Sequence, residues 1–177
     1  AQSAAEAVEQ IIATWGRLDV VINNAGVHRG GRVSRLCDEH WREVLDVNLT
    51  GALNVIRAAV PHLSSGASII NIGAVVGFRG FPGDVAYASS KAGLSGMTKA
   101  LSIELARKGI TVNLVVPGLV LTEMTSGLTD AAMETMKQQI PIGRLGQESE
   151  IAAVAYWVAQ SRYMTGATVP VDGGLLC

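Results

Sequence analysis

The sequence alternates short apolar runs with long segments of helical periodicity, and this alternation constrains the fold more than any other feature. The apolar runs lie at 18–22, 67–72, 111–116 and 167–171, and the helical patterns cover about 4–15, 38–63, 85–108, 130–138 and 148–160. Strands without polar alternation are buried on both faces of a sheet. Strands that alternate with helices pair in parallel. The sequence therefore predicts an α/β fold, a doubly wound parallel sheet of the Rossmann type, in a single domain over residues 1–177.

The start of the chain departs from this fold. An open sheet that binds a dinucleotide begins with a strand, a glycine-rich turn and a helix whose N-terminus holds the pyrophosphate. Here the chain opens in a helical pattern that ends at Gly16. Gly77, Gly80 and Gly83 share a later loop, but aromatic and charged residues separate them, so we interpret it as a substrate-side or structural loop. We expect the domain to be incomplete at its N-terminus, without the first strands and the phosphate loop.

Composition excludes several classes of function. The formal net charge is -1, only 16% of the residues are charged, and the basic residues are scattered, so nucleic acid is not an expected partner. The apolar run at 114–120 is broken by Pro117 and Gly118 and is too short to span a bilayer, so we expect no membrane partner. Neither Cys37 and Cys177 nor the three histidines have a metal-binding spacing. We therefore expect a cytoplasmic protein without a metal.

Tyr87 and Lys91 are the first candidates for chemistry. They lie four residues apart in a predicted helix, so both side chains project from one face. A phenol ordinarily gives up its proton near pH 10, and an ammonium nearby favours the phenolate and lowers that pKa. Such a hydroxyl can give a proton to a carbonyl or take one from an alcohol. Taken alone, the pair could also be an ordinary solvent-facing pair.

Further motifs lie where predicted strands end, which is where such sheets bind ligands. They are Asn23-Asn24-Ala25-Gly26, Asn71-Ile72-Gly73, Tyr87-Ala88-Ser89-Ser90-Lys91, Pro117-Gly118 and Val171-Asp172-Gly173-Gly174. In this order and spacing the chain resembles the short-chain dehydrogenase/reductase family over its whole length. Within the family it is most similar to the 3-oxoacyl-[acyl-carrier-protein] reductases of fatty acid biosynthesis, through Asn71-Ile72-Gly73-x-Val75-Val76-Gly77, Tyr87-x-x-x-Lys91-Ala92-Gly93 and Pro141-x-Gly143-Arg144.

The resemblance implies roles for the site residues. Tyr87 would be the acid–base residue, and Lys91 would tune it and hold the nicotinamide ribose. Asn48 would anchor a water that relays protons to Lys91, although a buried asparagine that satisfies backbone groups is a compatible alternative. The cofactor would be contacted on its adenosine side by Asn24, Ala25 and Gly26, and near the nicotinamide carboxamide by Pro117, Gly118, Val120 and Thr122.

The resemblance also implies a reaction and partners. The reaction would be hydride transfer between a nicotinamide, with NADP(H) preferred over NAD(H), and a small-molecule carbonyl or acyl thioester, with an acyl carrier protein as an implied partner. Arg107 and Lys108 end the catalytic helix, whereas Ser64 and Ser65 stand where those enzymes often carry basic residues. A short-chain alcohol, ketone or acetoacyl-CoA dehydrogenase is the alternative. The helices around Asn48 and Tyr87 have more apolar surface than one sheet face can cover, which predicts a homodimer or homotetramer.

Position 74 departs from the family. The family places a serine thirteen residues before the tyrosine, and this chain has Ala74. Alanine cannot donate a hydrogen bond to the substrate oxygen, and loss of one such donor costs about 10²–10³ in turnover. Ser89 and Ser90 are expected to point away from the catalytic face. Ala74 is thus an engineered change, a natural feature of a slow reductase, or a mark of a degenerate, non-catalytic relative that acts by binding or assembly.

Overall fold

A computed structural model of the chain describes residues 1–121 and 130–177, with side chains from residue 133 onward in the second range; Thr122 lies outside the described residues. The elements are α1 (Gln2–Trp15), β1 (Leu18–Asn23), α2 (Asp38–Leu45), α3 (Gly51–Ala59), β2 (Leu63–Ile72), α4 (Val76–Arg79), α5 (Val85–Ala106), β3 (Thr111–Pro117), α6 (Asp130–Gln139), α7 (Glu148–Gln160) and β4 (Thr168–Val171). Among the residues described, no helix has both the length and the apolar character needed to cross a bilayer.

The four strands form one parallel sheet in the order β1-β2-β3-β4. Asn23 at the end of β1 pairs in register with Asn71, and Asn71 pairs with Leu114 of β3. Because all four strands are parallel, their carboxyl ends share one edge of the sheet. The loops that carry the predicted site motifs therefore start from the same edge.

Helices cover both faces of the sheet, which confirms the predicted fold class. On one face, Ile69 and Val112 belong to a core shared with α1, α3 and α5. On the other face, Ile70 and Val115 pack against α7. Strand β1 lies at the edge of the sheet, where Val21 is buried but Val20 and Ile22 are 40% and 49% exposed. The central strands are thus covered on both sides, whereas β1 is covered on one.

The helix predicted over 38–63 is continuous but not regular. A π-helical turn, Asp46–Thr50, separates α2 from α3, and a 3₁₀ turn with a proline in its first positions, Val60–His62, ends the segment before β2. The residue that caps α2 is Cys37 rather than Asp38. Each deviation is local, because the proline lacks the N–H of an α-helix and the π turn accommodates one additional residue. The apolar spacing of the sequence showed the helix and could not show the wider turn.

The glycine-spaced loop after β2 contains the short helix α4. A Cβ added at Gly77 would lie 2.9 Å from the backbone nitrogen of Ala92, so this glycine allows α4 to approach α5 closely. Gly80 has a φ of 70° and ends the helix. These constraints support the structural interpretation of the loop.

Candidate active site

Tyr87 and Lys91 lie one turn apart near the start of α5, as predicted. The Lys91 ammonium is buried, with 4% of the residue exposed, and its Nζ donates a hydrogen bond of 2.9 Å to the carbonyl oxygen of Ile72. Nζ lies 5.6 Å from the centroid of the Tyr87 ring. The ammonium of Lys91 thus lies at the carboxyl end of β2, next to the phenol ring of Tyr87.

Burial shifts the proton affinity of both groups. It lowers the pKa of Lys91 to about 8, because desolvation disfavours the ammonium. The pKa of Tyr87 is raised, first by burial and then by the negative charge of Asp84. The net shift of the Tyr87 pKa is thus upward, and a lowering of this pKa by the Lys91 ammonium, which bonds to Ile72, stays a prediction. At neutral pH Tyr87 carries its proton, which is the form that donates.

Asn48 lies in the π turn and is almost completely buried. Its Oδ1 accepts a hydrogen bond of 2.8 Å from the backbone nitrogen of Val27, and its Nδ2 donates to the Val27 carbonyl at 3.0 Å. Nδ2 also donates to Ser90 Oγ at 3.1 Å, and Ser90 Oγ donates to the carbonyl of Tyr87 at 2.7 Å. The side chain of Asn48 thus ties the loop after β1 to the helix that carries Tyr87 and Lys91.

Ser90 has a role that the sequence analysis missed. Spacing points both Ser89 and Ser90 away from the catalytic face, and Ser89 is exposed. Ser90 is fully buried and links Asn48 to the backbone of Tyr87. Spacing from Tyr87 alone does not show which of the two serines is buried.

Asn71 forms a second buried link at the strand ends. Asn23 Nδ2 donates to Asn71 Oδ1 at 2.8 Å, and Asn71 Nδ2 donates to Thr98 Oγ1 at 2.9 Å. These bonds join β1 and β2 to α5 at the edge where ligands bind in such sheets. Ala74 follows β2 by two residues, and its carbonyl accepts a hydrogen bond from the Gly77 nitrogen at 3.0 Å. The side chain of Ala74 is a methyl group, so this position places no hydroxyl at this edge of the sheet.

Asn24, Ala25 and Gly26 lie exposed in the loop after β1. A Cβ added at Gly26 would lie 3.3 Å from Asn48 Oδ1 and 3.5 Å from Lys91 Nζ. The glycine therefore keeps space open beside a buried ammonium. That combination fits a nicotinamide cofactor, because the ribose hydroxyls need a donor at a position that the chain does not fill.

The predicted carboxamide contacts lie beyond β3. Pro117 ends the strand, and the nitrogen of Gly118 donates to the carbonyl of Val171 at 3.0 Å. Val120 pairs with Gly146 in an isolated parallel bridge. Thr122 is not among the described residues, so its predicted contact stays a prediction.

His28 and Asp84 are a pair that the sequence analysis missed. His28 Nε2 lies 2.8 Å from Asp84 Oδ1, and the His28 ring meets the Tyr87 ring edge-on. The two residues are 56 positions apart, and neither belongs to a motif that the sequence analysis used. They come together only because the loop after β1 approaches the start of α5.

Comparison with known proteins identifies relatives along almost the whole chain. A family profile described as Enoyl-(Acyl carrier protein) reductase matches residues 1–176. The 3-oxoacyl-[acyl-carrier-protein] reductase FabG of Thermotoga maritima is 43% identical over 175 residues, which cover 97% of this chain and 71% of that protein. The FabG of Staphylococcus aureus strain Mu50 is 42% identical over 95% of this chain and 70% of its own length.

Solved structures give the same result for the fold. A short-chain dehydrogenase/reductase from Brucella melitensis, described as a glucose/ribitol dehydrogenase, superposes with a TM-score of 0.94 at 32% identity, over 98% of this chain and 71% of that one. A blue fluorescent protein from a metagenomic library, solved in complex with NADPH, superposes with a TM-score of 0.92 at 32% identity, over the same shares of the two chains.

Proposed function

The chain belongs to the short-chain dehydrogenase/reductase family of nicotinamide-dependent oxidoreductases, and from this premise we propose that it reduces the carbonyl of a 3-oxoacyl thioester with NADPH. The observation that carries the proposal is the placement of Tyr87 and Lys91 on one face of α5, with the Lys91 ammonium buried beside Gly26. Relatives named as 3-oxoacyl reductases support the substrate class. The NADPH complex of a structural neighbour supports the choice of cofactor.

In the proposed mechanism the bound nicotinamide supplies the hydride. Tyr87 Oη gives its proton to the substrate oxygen as negative charge develops there. Because its pKa is raised, the phenol carries that proton at neutral pH. Lys91 holds the ribose hydroxyls and offers a positive charge beside the phenolate that forms. Asn48 and Ser90 hold the loop after β1 against α5, and Asn48 is also the proposed anchor for a water that returns protons to Lys91.

Ala74 favours a second candidate of another class. Without a hydroxyl at this position the substrate oxygen loses a donor, which is the change expected in a relative that binds or assembles without turnover. The buried network around Tyr87, Lys91 and Asn48 argues for the enzyme, since a chain released from catalysis has no need to keep a desolvated ammonium. A dehydrogenase of small alcohols or ketones, or of acetoacyl-CoA, uses the same residues.

An acyl carrier protein is a proposed partner, and exposed arginines on the segments before α5 support it. Arg32 and Arg35 lie exposed in the loop after β1, and Arg79 lies exposed at the end of α4. That loop contacts the segment before α5 through a hydrogen bond of 2.8 Å from the Gly31 nitrogen to the Gly83 carbonyl. Arg107 and Lys108 lie about 30 Å from Tyr87 along the axis of α5, at its opposite end.

A homodimer or homotetramer is the proposed assembly. Val85 and Ile103 on α5 and Val47 in the π turn are large apolar residues that stay exposed in one chain. Pairing of these helices across a two-fold axis would cover them. Light scattering on the full-length protein tests the assembly, and a monomeric mass would contradict the proposal.

The test of function is NADPH oxidation by full-length protein with a 3-oxoacyl thioester, presented on CoA and on an acyl carrier protein. An enoyl thioester is the matched control substrate, because the family profile carries the enoyl reductase description. Turnover of the 3-oxoacyl substrate alone is the expected result. If the folded protein binds NADPH but turns over neither thioester and no small ketone, the remaining candidate is a protein that binds or assembles without turnover.

A further inference from the structure

A histidine and a carboxylate form a pair at the entrance to α5. His28 lies in the loop after β1, and Asp84 immediately precedes α5. His28 Nε2 and Asp84 Oδ1 are 2.8 Å apart, with the side chains 34% and 16% exposed. A carboxylate only accepts hydrogen bonds, so the imidazole donates through Nε2 in this pair.

The pair contacts the proposed proton donor directly. The ring centroids of His28 and Tyr87 are 5.2 Å apart with an interplanar angle of 87°, an edge-to-face contact. This arrangement is one that aromatic pairs prefer, so it restricts how the Tyr87 ring can turn. Asp84 anchors the histidine in turn, so the phenol ring is held from a different part of the chain.

Three titratable side chains lie around the phenol among the residues that the structure describes. Asp84 and His28 approach it from the loop side, and Lys91 approaches it from within α5. Arg29, next to His28, forms two hydrogen bonds of 2.7 Å to Glu43, so its charge is already balanced. The negative charge of Asp84 contributes to the raised pKa of Tyr87. The hydrogen bond to His28 holds that carboxylate in place.

We propose that His28, oriented by Asp84, is a positioning residue that holds the ring of Tyr87 in place for proton transfer. The hydrogen bond between the two also keeps the Asp84 carboxylate beside the phenol, where its negative charge disfavours the phenolate. The proposal rests on the proposed role of Tyr87, whose orientation matters more because Ala74 provides no second hydroxyl.

The first experiment does not require activity. The phenolate of Tyr87 is titrated by ultraviolet absorbance, as the difference from the same protein with Tyr87→Phe. Asp84→Asn should move this titration to lower pH, because it removes one of the two causes of the raised pKa. His28→Gln should move it far less, because glutamine keeps an amide donor for the Asp84 carboxylate. An unchanged titration in Asp84→Asn would overturn the electrostatic part of the proposal.

The second experiment follows the Tyr87 ring in the full-length protein. In NMR spectra, flipping of the Tyr87 ring should be slower in the native protein than in His28→Gln, which keeps an amide donor for Asp84 but loses the ring contact. His62→Gln, at an exposed histidine, is the matched control. A flipping rate that His28→Gln leaves unchanged would refute the positioning role.

Activity provides the third readout and separates this proposal from the proposed function. His28→Gln should lower kcat far more than it changes KM, because the ring of Tyr87 loses its edge contact while the substrate contacts stay. An unchanged kcat in His28→Gln would count against the proposal. A protein inactive in every form would refute the reductase function, while the absorbance and NMR measurements would still decide whether His28 and Asp84 hold the phenol.

Discussion

Lys91 donates a hydrogen bond of 2.9 Å from Nζ to the carbonyl oxygen of Ile72, and this bond places a buried cation at the end of a central strand. The carbonyl compensates only part of the hydration that the ammonium loses, which is why burial lowers the pKa of Lys91 to about 8. A group of this kind stabilises or destabilises the fold according to pH.

Lys91→Met should therefore change stability in a pH-dependent way. Between about pH 8 and 10.5 the unfolded chain binds more protons than the folded one, so the native protein gains stability as pH rises through this window. The full difference corresponds to roughly 3 kcal/mol. The free energy of unfolding of Lys91→Met relative to the native protein should thus fall between pH 7 and about pH 9.5 in urea titrations. Lys99→Met, at an exposed lysine of the same helix, is the control, and an equal difference at both pH values would contradict the prediction.

Tyr87→Phe should reduce turnover to about 1% or less, because it removes the proton donor while it keeps the ring. The melting temperature and the affinity for NADPH should change little, since the edge contact with His28 needs only the ring. Steady-state kinetics and thermal unfolding of the full-length variant measure both. Turnover well above this level would assign proton transfer to another group.

Ala74→Ser should raise kcat by about 10²-fold or more, with a smaller change in the affinity for cofactor. The position follows β2 directly, at the edge where Lys91 is held, and a serine adds only one oxygen atom. A kinetic comparison of the two proteins measures the gain. An already active protein that gains nothing would show that another group polarises the carbonyl.

Ser90→Ala should cost about 1–3 kcal/mol of stability, because it leaves one N–H of the buried Asn48 side chain without its partner. Turnover should fall as well, since Asn48 loses its link to α5. Ser89→Ala is the matched control, because this neighbour is exposed and should change stability by less than about 0.5 kcal/mol. Equal effects in chemical denaturation would argue against the network.

Gly26→Ala should weaken NADPH binding, because the added methyl group would sit about as close as contacts allow to Asn48 and Lys91. Gly31→Ala is the matched control in the same loop, where an added Cβ would have nothing within 4 Å. Fluorescence titration with NADPH measures both affinities. A Gly26→Ala protein that binds NADPH as tightly as Gly31→Ala does would place the ribose elsewhere.

The fold could be predicted because its signal is local. The apolar runs at 67–72 and 111–116 became the central strands, and the pattern 85–108 became α5 with little change at its ends. The shared helix face of Tyr87 and Lys91 could likewise be predicted, since residues four apart in a helix lie on the same face.

The remainder of the site depends on contacts between distant segments. Asn48 meets Val27 and Ser90 only because the loop after β1 folds against α5, and His28 meets Asp84 for the same reason. The pKa of Tyr87 rises because of burial, which the spacing of charges along the sequence does not reveal. Residues such as Ser90 could therefore be found only once the packing of α5 was known.

The π turn at Asp46–Thr50 meets two requirements at once: the position of Asn48, and the burial of the apolar sides of α2 and α3. Each residue of an α-helix advances about 100° around the axis, so winding the same five residues as a regular α-helix would rotate everything downstream by roughly that angle. Ile56 and Ala59, both fully buried against the sheet, would then swing out of the core, or Val44 would if the rotation fell on α2. The irregular turn is therefore a phase correction: it presents Asn48 to the loop after β1 while both halves of the helix keep their apolar sides inward.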